Sequence, residues 1–177
     1  YPGAKDHMGI LYGDYQTLID QKVKERKAFE AVGHTIVHEA AYNILGEANW
    51  KPFATAIEGD GVRFLKFIGQ PTNMGNLDQA MAQTGSVPEV RLLETNFYDQ
   101  GYIEAAGPAA NGAYINTSFV PMEEAASNPA TRLYLDNIEK MNGKKAVLGL
   151  QSTSAWLLFA KLAKACDVKD NLTRTCI

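Results

Sequence analysis

Between Met8 and Phe119 the chain repeats one pattern about five times: a short apolar, β-branched run ends in small or polar residues, and in most cases a segment with apolar positions at helical spacing follows. The runs are residues 7–12, 34–42, 62–68, 90–95 and 113–119. Their starts lie roughly 23 to 28 residues apart, the length of a strand, a helix and two short loops. Parallel strands need crossover helices of this kind, so the rhythm predicts an α/β fold on a parallel sheet and argues against a sandwich. In such sheets a ligand binds outside the carboxyl ends of the strands.

The segments between the runs predict where the helices lie. Asp14 is expected to cap a helix starting near Tyr15 or Gln16, because its carboxylate can accept first-turn amide hydrogens; Ile19, Val23, Phe29 and Val32 form its apolar face and Gly33 stops it. A short helix around residues 50–57 ends at Gly59-Asp60-Gly61. A third follows Gln70-Pro71-Thr72, with Met74, Leu77, Ala80 and Met81 read as a core stripe rather than a cofactor box. Another short helix, around 102–106, is broken by Gly107-Pro108.

After Phe119 the character changes. Val120-Pro121 leaves the fifth run, residues 123–128 read as a polar loop, and two helical segments follow, the first marked by Tyr134, Ile138 and Met141. The second, residues 150–165, is apolar on most sides around Trp156, Leu157, Leu158 and Phe159, which predicts burial on every side, with Ser152, Thr153 and Ser154 read as capping hydroxyls. The pattern therefore predicts one unit over residues 1–120 and a second over 121–177.

Composition narrows the function classes. The 177 residues are 46% hydrophobic and 21% charged with a formal net charge of -3, ordinary for a globular chain able to bury a full core. No clustered Lys and Arg surface for phosphate neutralisation is present, which argues against nucleic acid as a partner. The KVKERK cluster at residues 22–27 reads as a solvated helix face, interrupted by Glu25 and followed by Glu30, with Val23 and Phe29 turned inward. No apolar run approaches the roughly 20 residues of a membrane span. The chain opens on Tyr1 with no charged-then-apolar leader and reads as a piece of a longer protein.

Catalytic and metal patterns fail on inspection. His38-Glu39 begins like a zincin motif, but Tyr42 stands where the second histidine is needed. His34 and His38 lie an even number apart, so both could face one side of a strand, yet no third ligand is placed. Residues 107–112 have the outline of a phosphate loop with Ala113 in the lysine position, and no G-x-G-x-x-G follows the first run. No cofactor is expected. Cys166 and Cys176 are too few for a disulfide scaffold and wrongly spaced for a zinc ribbon; they suit either a local staple, implying an oxidising compartment, or two free thiols.

The order of phrases ILYGDY, AVGHTIVHEAAY, FLKFIGQPTNMGNLDQAMAQTG, AANGAYINTSFVP and STSAWLLFAKLAKAC resembles the type I solute-binding proteins of ABC transporters, the branched-chain amino-acid receptor-like group. The resemblance covers nearly the whole chain through hydrophobic pattern and turn residues. It implies two three-layer α/β lobes closing on a solute, with residues 1–120 as most of the second lobe and 121–177 as the crossover and helices returning to the first. It also implies a fragment, a periplasmic or extracellular location with a lipoprotein anchor as one form of the whole protein, a permease as partner, and no catalysis. A lone lobe should bind its solute weakly, and the apolar last helix, deprived of its partners, suggests a homo-oligomer.

At the carboxyl ends of the strands the residues expected to meet a solute are Asp14 and Tyr15 after the first run, Gln70 and Thr72 after the third, and Glu94, Asn96 and Tyr98 after the fourth. Tyr15 matches a position where the family presents an aromatic ring. The family's acidic group for an ammonium falls on Glu94 or Thr95 according to register; Thr95 there would favour amides, urea-like compounds or carboxylic acids over amino acids. Two rivals remain: the sensor domain of a regulator or receptor of the same fold, and a flavodoxin-like enzyme domain, for which the expected Ser/Thr-rich loop is missing.

Overall fold

Five parallel strands, ordered β2-β1-β3-β4-β5, form one sheet: β1 Met8–Gly13, β2 Ile36–Tyr42, β3 Phe64–Ile68, β4 Val90–Leu93 and β5 Ala113–Ile115. The computed structural model describes residues 1–168 and 170–176. The chain divides into two compact units, Tyr1–Asn116, which holds the sheet, and Thr117–Ile177. Every strand pair is parallel, with Ile10 beside Glu39 on one side and Lys66 on the other, Lys66 beside Leu92, and Leu92 beside Tyr114.

Helices cover both faces, as the buried runs require. On one face α2 (Lys51–Gly59), α3 (Pro71–Thr84) and α4 (Gln100–Ala106) pack Ile57, Met74, Leu77, Met81 and Tyr102 against Leu11, Leu65, Phe67 and Leu93. The methionine stripe is core, with Met74 and Met81 fully buried. Gly75 lets α3 and α4 approach closely: a Cβ there would lie 2.6 Å from Ala105 Cβ and 2.8 Å from the Ala106 amide nitrogen.

On the other face lies α1 (Gln16–Ala31) over Met8, Ile10 and Ile68, with Phe29 against His34 and Phe64. None of its residues is fully buried, and Val23 and Val32 are exposed where the pattern placed them inward. Ion pairs hold the helix instead. Lys22 and Arg26 each meet Glu39 of β2 at 2.7 Å, so two residues of the basic cluster are partnered rather than merely solvated. Those two cations outweigh the effect of burial and hold the Glu39 carboxyl below its ordinary value.

Several expectations need correcting. Asp14 does not cap α1: Tyr15 holds the extended N-cap conformation, φ -148° and ψ 135°, and the Asp14 amide is spent on Tyr42 O at 2.7 Å. The fourth and fifth strands end early, at Leu93 and Ile115, the former because residues 95–97 turn into a short 3-10 helix. His34 precedes β2 and lies on the α1 face, whereas His38 faces the opposite side and bonds Asp60 at 2.7 Å. Ile57 O and Gly61 then direct the chain into β3.

In the second unit, residues 122–127 form a 3-10 turn in place of the polar loop, followed by α5 (Pro129–Lys140) and α6 (Val147–Asp167). Asn128 caps α5 by accepting from the amides of Ala130 and Thr131 at 3.1 Å. Ser152, Thr153 and Ser154 lie inside α6, which starts earlier because the Tyr134 hydroxyl holds both the amide and the carbonyl of its N-cap Ala146 at 2.9 Å. The expected all-round burial of α6 is not met: Val147, Leu150 and Cys166 are buried, while Trp156 is 67% and Leu158 58% exposed. Cys166 and Cys176 form a disulfide, Cα atoms 6.0 Å apart. Among the described residues no helix is long and apolar enough to cross a membrane.

Candidate functional site

The strand exits of the first unit share one rim, as parallel pairing dictates. Three of them, after β1, β2 and β3, enclose an open cavity of about 380 Å³ lined by Tyr15, Thr17, Leu18, Ile44, Leu45, Gly69 and Gln70. Its walls are chiefly aliphatic and aromatic. Leu45 is 91% and Tyr15 58% exposed, so large apolar groups stand open to solvent at this rim.

Local structure fixes these walls. The Tyr42 hydroxyl, at the end of β2, accepts from the Gln70 amide at 3.3 Å, and Asn73 of α3 donates to Ile44 O at 3.1 Å, tying the β2 and β3 exits together. Gly69 is required here: its φ is +154°, and a Cβ would fall on the Tyr42 hydroxyl. Leu45 is presented by a turn in which its amide donates to the Asn43 side chain at 3.0 Å. Tyr15 and Gln70, both in the cavity lining, are the N-caps of α1 and α3; neither helix start has a side-chain cap, the Leu18 amide donates to Tyr15 O at 2.9 Å, and Pro71 opens α3 without an amide hydrogen.

Of the residues expected at the site, the cavity brings together Tyr15 and Gln70. Asp14 and Thr72 are exposed neighbours of those two outside the lining. Asn96 is a rim brace, donating to Gly69 O at 2.9 Å across the β3 and β4 exits, and Tyr98 is half-buried. Glu94 belongs to a different cluster. Its Oε1 accepts from Lys66 Nζ at 3.0 Å and from Gln21 Nε2 at 2.6 Å, on the α1 face of the sheet.

That cluster also holds Glu25 Oε2, 3.3 Å from Lys66 Nζ. Burial, then the neighbouring Glu94, pushes the Glu25 carboxyl above its ordinary value. For Glu94 burial acts the same way, but hydrogen bonding with Glu25 and Lys66 outweighs it and holds the carboxyl low. The two acids beside this buried lysine are thus shifted in opposite directions, Glu25 up and Glu94 down. Thr95, the alternative position for an acidic group, carries a hydroxyl with no hydrogen-bond partner among the described residues.

Thr17, Leu18, Ile44, Leu45 and Gly69 were not picked out by sequence reasoning. The one signal available was Leu45, an isolated large apolar residue between Asn43 and Gly46 in a segment without periodicity.

Comparison with solved structures shows the same fold. A leucine-binding protein from Thermotoga maritima matches 99% of this chain and 49% of its own length at TM-score 0.69 and 17% identity. A fatty acid ABC transporter substrate-binding protein from Thermomonospora curvata matches 97% of this chain and 44% of its own at TM-score 0.70 and 20% identity. For a putative branched-chain amino acid ABC transporter protein from Rhodospirillum rubrum the shares are 84% and 42%, at TM-score 0.64 and 19% identity. The chain thus spans less than half the length of each of these structures. Comparison with curated proteins found no match. Residues 3–177 match the family model described as periplasmic binding protein, and with a parallel five-stranded α/β unit of that fold the chain belongs to the periplasmic binding protein family.

Proposed function

We propose that this chain supplies half of a solute-binding cleft, taking a small organic molecule for ABC-transporter uptake by non-catalytic closure of two lobes. On this reading residues 1–120 are the second lobe and 121–177 the crossover and helices that return to the first. The observation that carries it is the cavity of about 380 Å³ at the carboxyl ends of the strands, walled by exposed apolar groups that a monomeric surface has no reason to cluster. Tyr15 and Gln70 line it; Asp14, Thr72, Asn96 and Tyr98, outside that lining, are proposed with them as ligand-facing residues, while Glu94 is engaged by Lys66 and Gln21 on the α1 face.

Membership of the family supports a periplasmic or extracellular location and a membrane permease as partner of the whole protein. Closure would couple solute affinity to the form that the transporter recognises. The exposed face of α6 around Trp156, Leu158 and Phe159 supports self-association of this chain; sedimentation that stays monomeric across a dilution series counts against it.

The test of the binding reading is an amide ¹H–¹⁵N titration of the full chain with a library of amino acids, amides and small organic acids. At least one class should move the amides of Thr17, Leu45 and Gln70 with a dissociation constant in the millimolar range, since half of the cleft gives few contacts and no desolvation by closure. No movement at these amides with any class refutes the reading.

A further inference from the structure

We infer that α1 is the movable wall of the rim cavity and that Glu39 of β2 is the residue that positions it, through an electrostatic seat rather than a buried apolar face; that the cavity holds a solute rests on the reading above. The cavity draws one wall from the start of this helix, where Tyr15, Thr17 and Leu18 line it. Leu18 and Ile44 close over Gly13, where an added Cβ would lie 3.0 Å from Leu18 Cδ1 and 2.5 Å from Ile44 Cδ1.

Charge holds that helix in place. None of its 16 residues is fully buried, and Leu18 and Phe29 supply its apolar contacts with the cluster of Met8, Ile10 and Ile68 beneath. Under it the sheet presents Glu39, Ile10 and Lys66 as register neighbours on β2, β1 and β3. Lys22 and Arg26, one helical turn apart, both reach Glu39 at 2.7 Å, and Lys22 Nζ also sits 4.8 Å from the centre of the Tyr12 ring. The adjacent stripe of the helix meets the other side of the row: Gln21 Nε2 donates to Glu94 at 2.6 Å, and Glu25 lies 3.3 Å from Lys66 Nζ.

Successive residues of a helix are about 100° apart around its axis, so rotation by one position would set Lys22 and Arg26 beside Lys66, and the opposite rotation would set Glu25 beside Glu39. Like charges meet either way. The pairs therefore fix the rotation of α1 about its axis, and with it the direction of Tyr15 and Leu18. Glu39 carries two of these bonds, so its loss releases the seat; a helix left with two apolar anchors then opens before the rest of the sheet.

The experiment follows amide hydrogen exchange and methyl resonances in the full chain, comparing Glu39→Gln with Glu30→Gln, which takes an equal charge from the same Arg26 but within the helix. Glu39→Gln should raise exchange at residues 22–29 roughly tenfold while α3 stays protected, and should move the Leu18 methyl and Thr17 amide resonances; Glu30→Gln should do neither. Glu39→Lys combined with Lys22→Glu and Arg26→Glu reverses the pairs and should restore both signals. A protected α1 with Leu18 unmoved in Glu39→Gln, equal loosening by Glu30→Gln, or a reversed variant whose α3 is protected while α1 stays open each overturns the inference. Isoamyl alcohol, a neutral probe with a branched body, is then titrated while the Leu45 and Gln70 amides are read: its dissociation constant should rise several-fold in Glu39→Gln and recover on reversal. An unchanged constant beside a loosened α1 overturns the positioning role and leaves the solute-binding reading intact. If neither this probe nor the wider library moves those amides in the parent chain while α1 responds as expected, the solute-binding reading falls and the seat of α1 stands.

Discussion

Asp78 of α3 and Arg91 of β4 form a buried pair, 1% and 3% exposed, in which the guanidinium donates to Asp78 Oδ1 at 2.6 Å and the Tyr102 hydroxyl donates to Oδ2 at 2.6 Å. The same guanidinium donates to Ala109 O at 2.7 Å and to Asn111 O, so it also fixes the loop that leads into β5. Asp78→Ala would strand a buried cation and a buried hydroxyl at once. Removing one partner of a buried pair costs about 3–5 kcal/mol, a large part of the ~5–15 kcal/mol that holds a domain together.

Asp78→Asn should behave very differently. Burial pushes the Asp78 carboxyl above its ordinary value despite the opposing pull of Arg91 and Tyr102. An acid whose folded-state value is raised binds its proton more tightly when folded, so its contribution to stability is greatest at low pH and declines as pH rises towards that value. The charge is therefore not what stabilises the site; the acceptor geometry is. A neutral isostere that keeps an oxygen for Arg91 should cost ~1 kcal/mol or less.

Urea unfolding read by the fluorescence of Trp50, which is buried in the same unit, separates the cases. With a slope of ~2 kcal/mol/M the alanine variant should lose ~1.5–2.5 M in midpoint and the asparagine variant no more than ~0.5 M. Equal losses for the two variants would refute the argument, because charge rather than hydrogen-bond geometry would then dominate; so would an alanine variant within ~1 kcal/mol of the parent.

Further expectations come from the same structure. Glu25→Gln should raise the urea midpoint at pH 7 and leave it unchanged at pH 4 and below: the folded state holds the Glu25 carboxyl above its ordinary value, so the acid's contribution falls as pH rises, and glutamine lacks that decline. Urea midpoints at the two pH values check it, and a gain independent of pH would be the wrong outcome. Gly75→Ala should cost ~1–3 kcal/mol in thermal or urea unfolding, because the new methyl meets the Ala106 backbone and not a flexible side chain. Reducing the bond between Cys166 and Cys176, which lie 10 apart in sequence, should lower the stability of the second unit by ~2–3 kcal/mol on the chain-entropy estimate while leaving the Trp50 transition in place.

The strands of this fold were legible because a parallel sheet buried on both faces forces apolar runs of uniform spacing, and MGILY and FLKFI could hardly be anything else. Their ends were not, since β4 stops where residues 95–97 turn and β5 pairs for three residues only, choices made by neighbouring chain and not by composition. The site divides along the same line. Tyr15 and Gln70 sit immediately after strands and open helices, positions that topology alone assigns to the rim, whereas Ile44 and Leu45 come from the aperiodic stretch after β2 and are placed by hydrogen bonds of Asn43 and Asn73. Glu94 shows what pairing phase decides. Arg91 and Leu93 point to the α3 and α4 side, so Leu92 and Glu94 must point to α1, and the same alternation sets Lys66 of β3 beside them. An acidic residue at a strand end therefore became a counter-ion for a buried lysine on the α1 face, and the direction in which one side chain of β4 alternates keeps it out of the lining of the rim cavity.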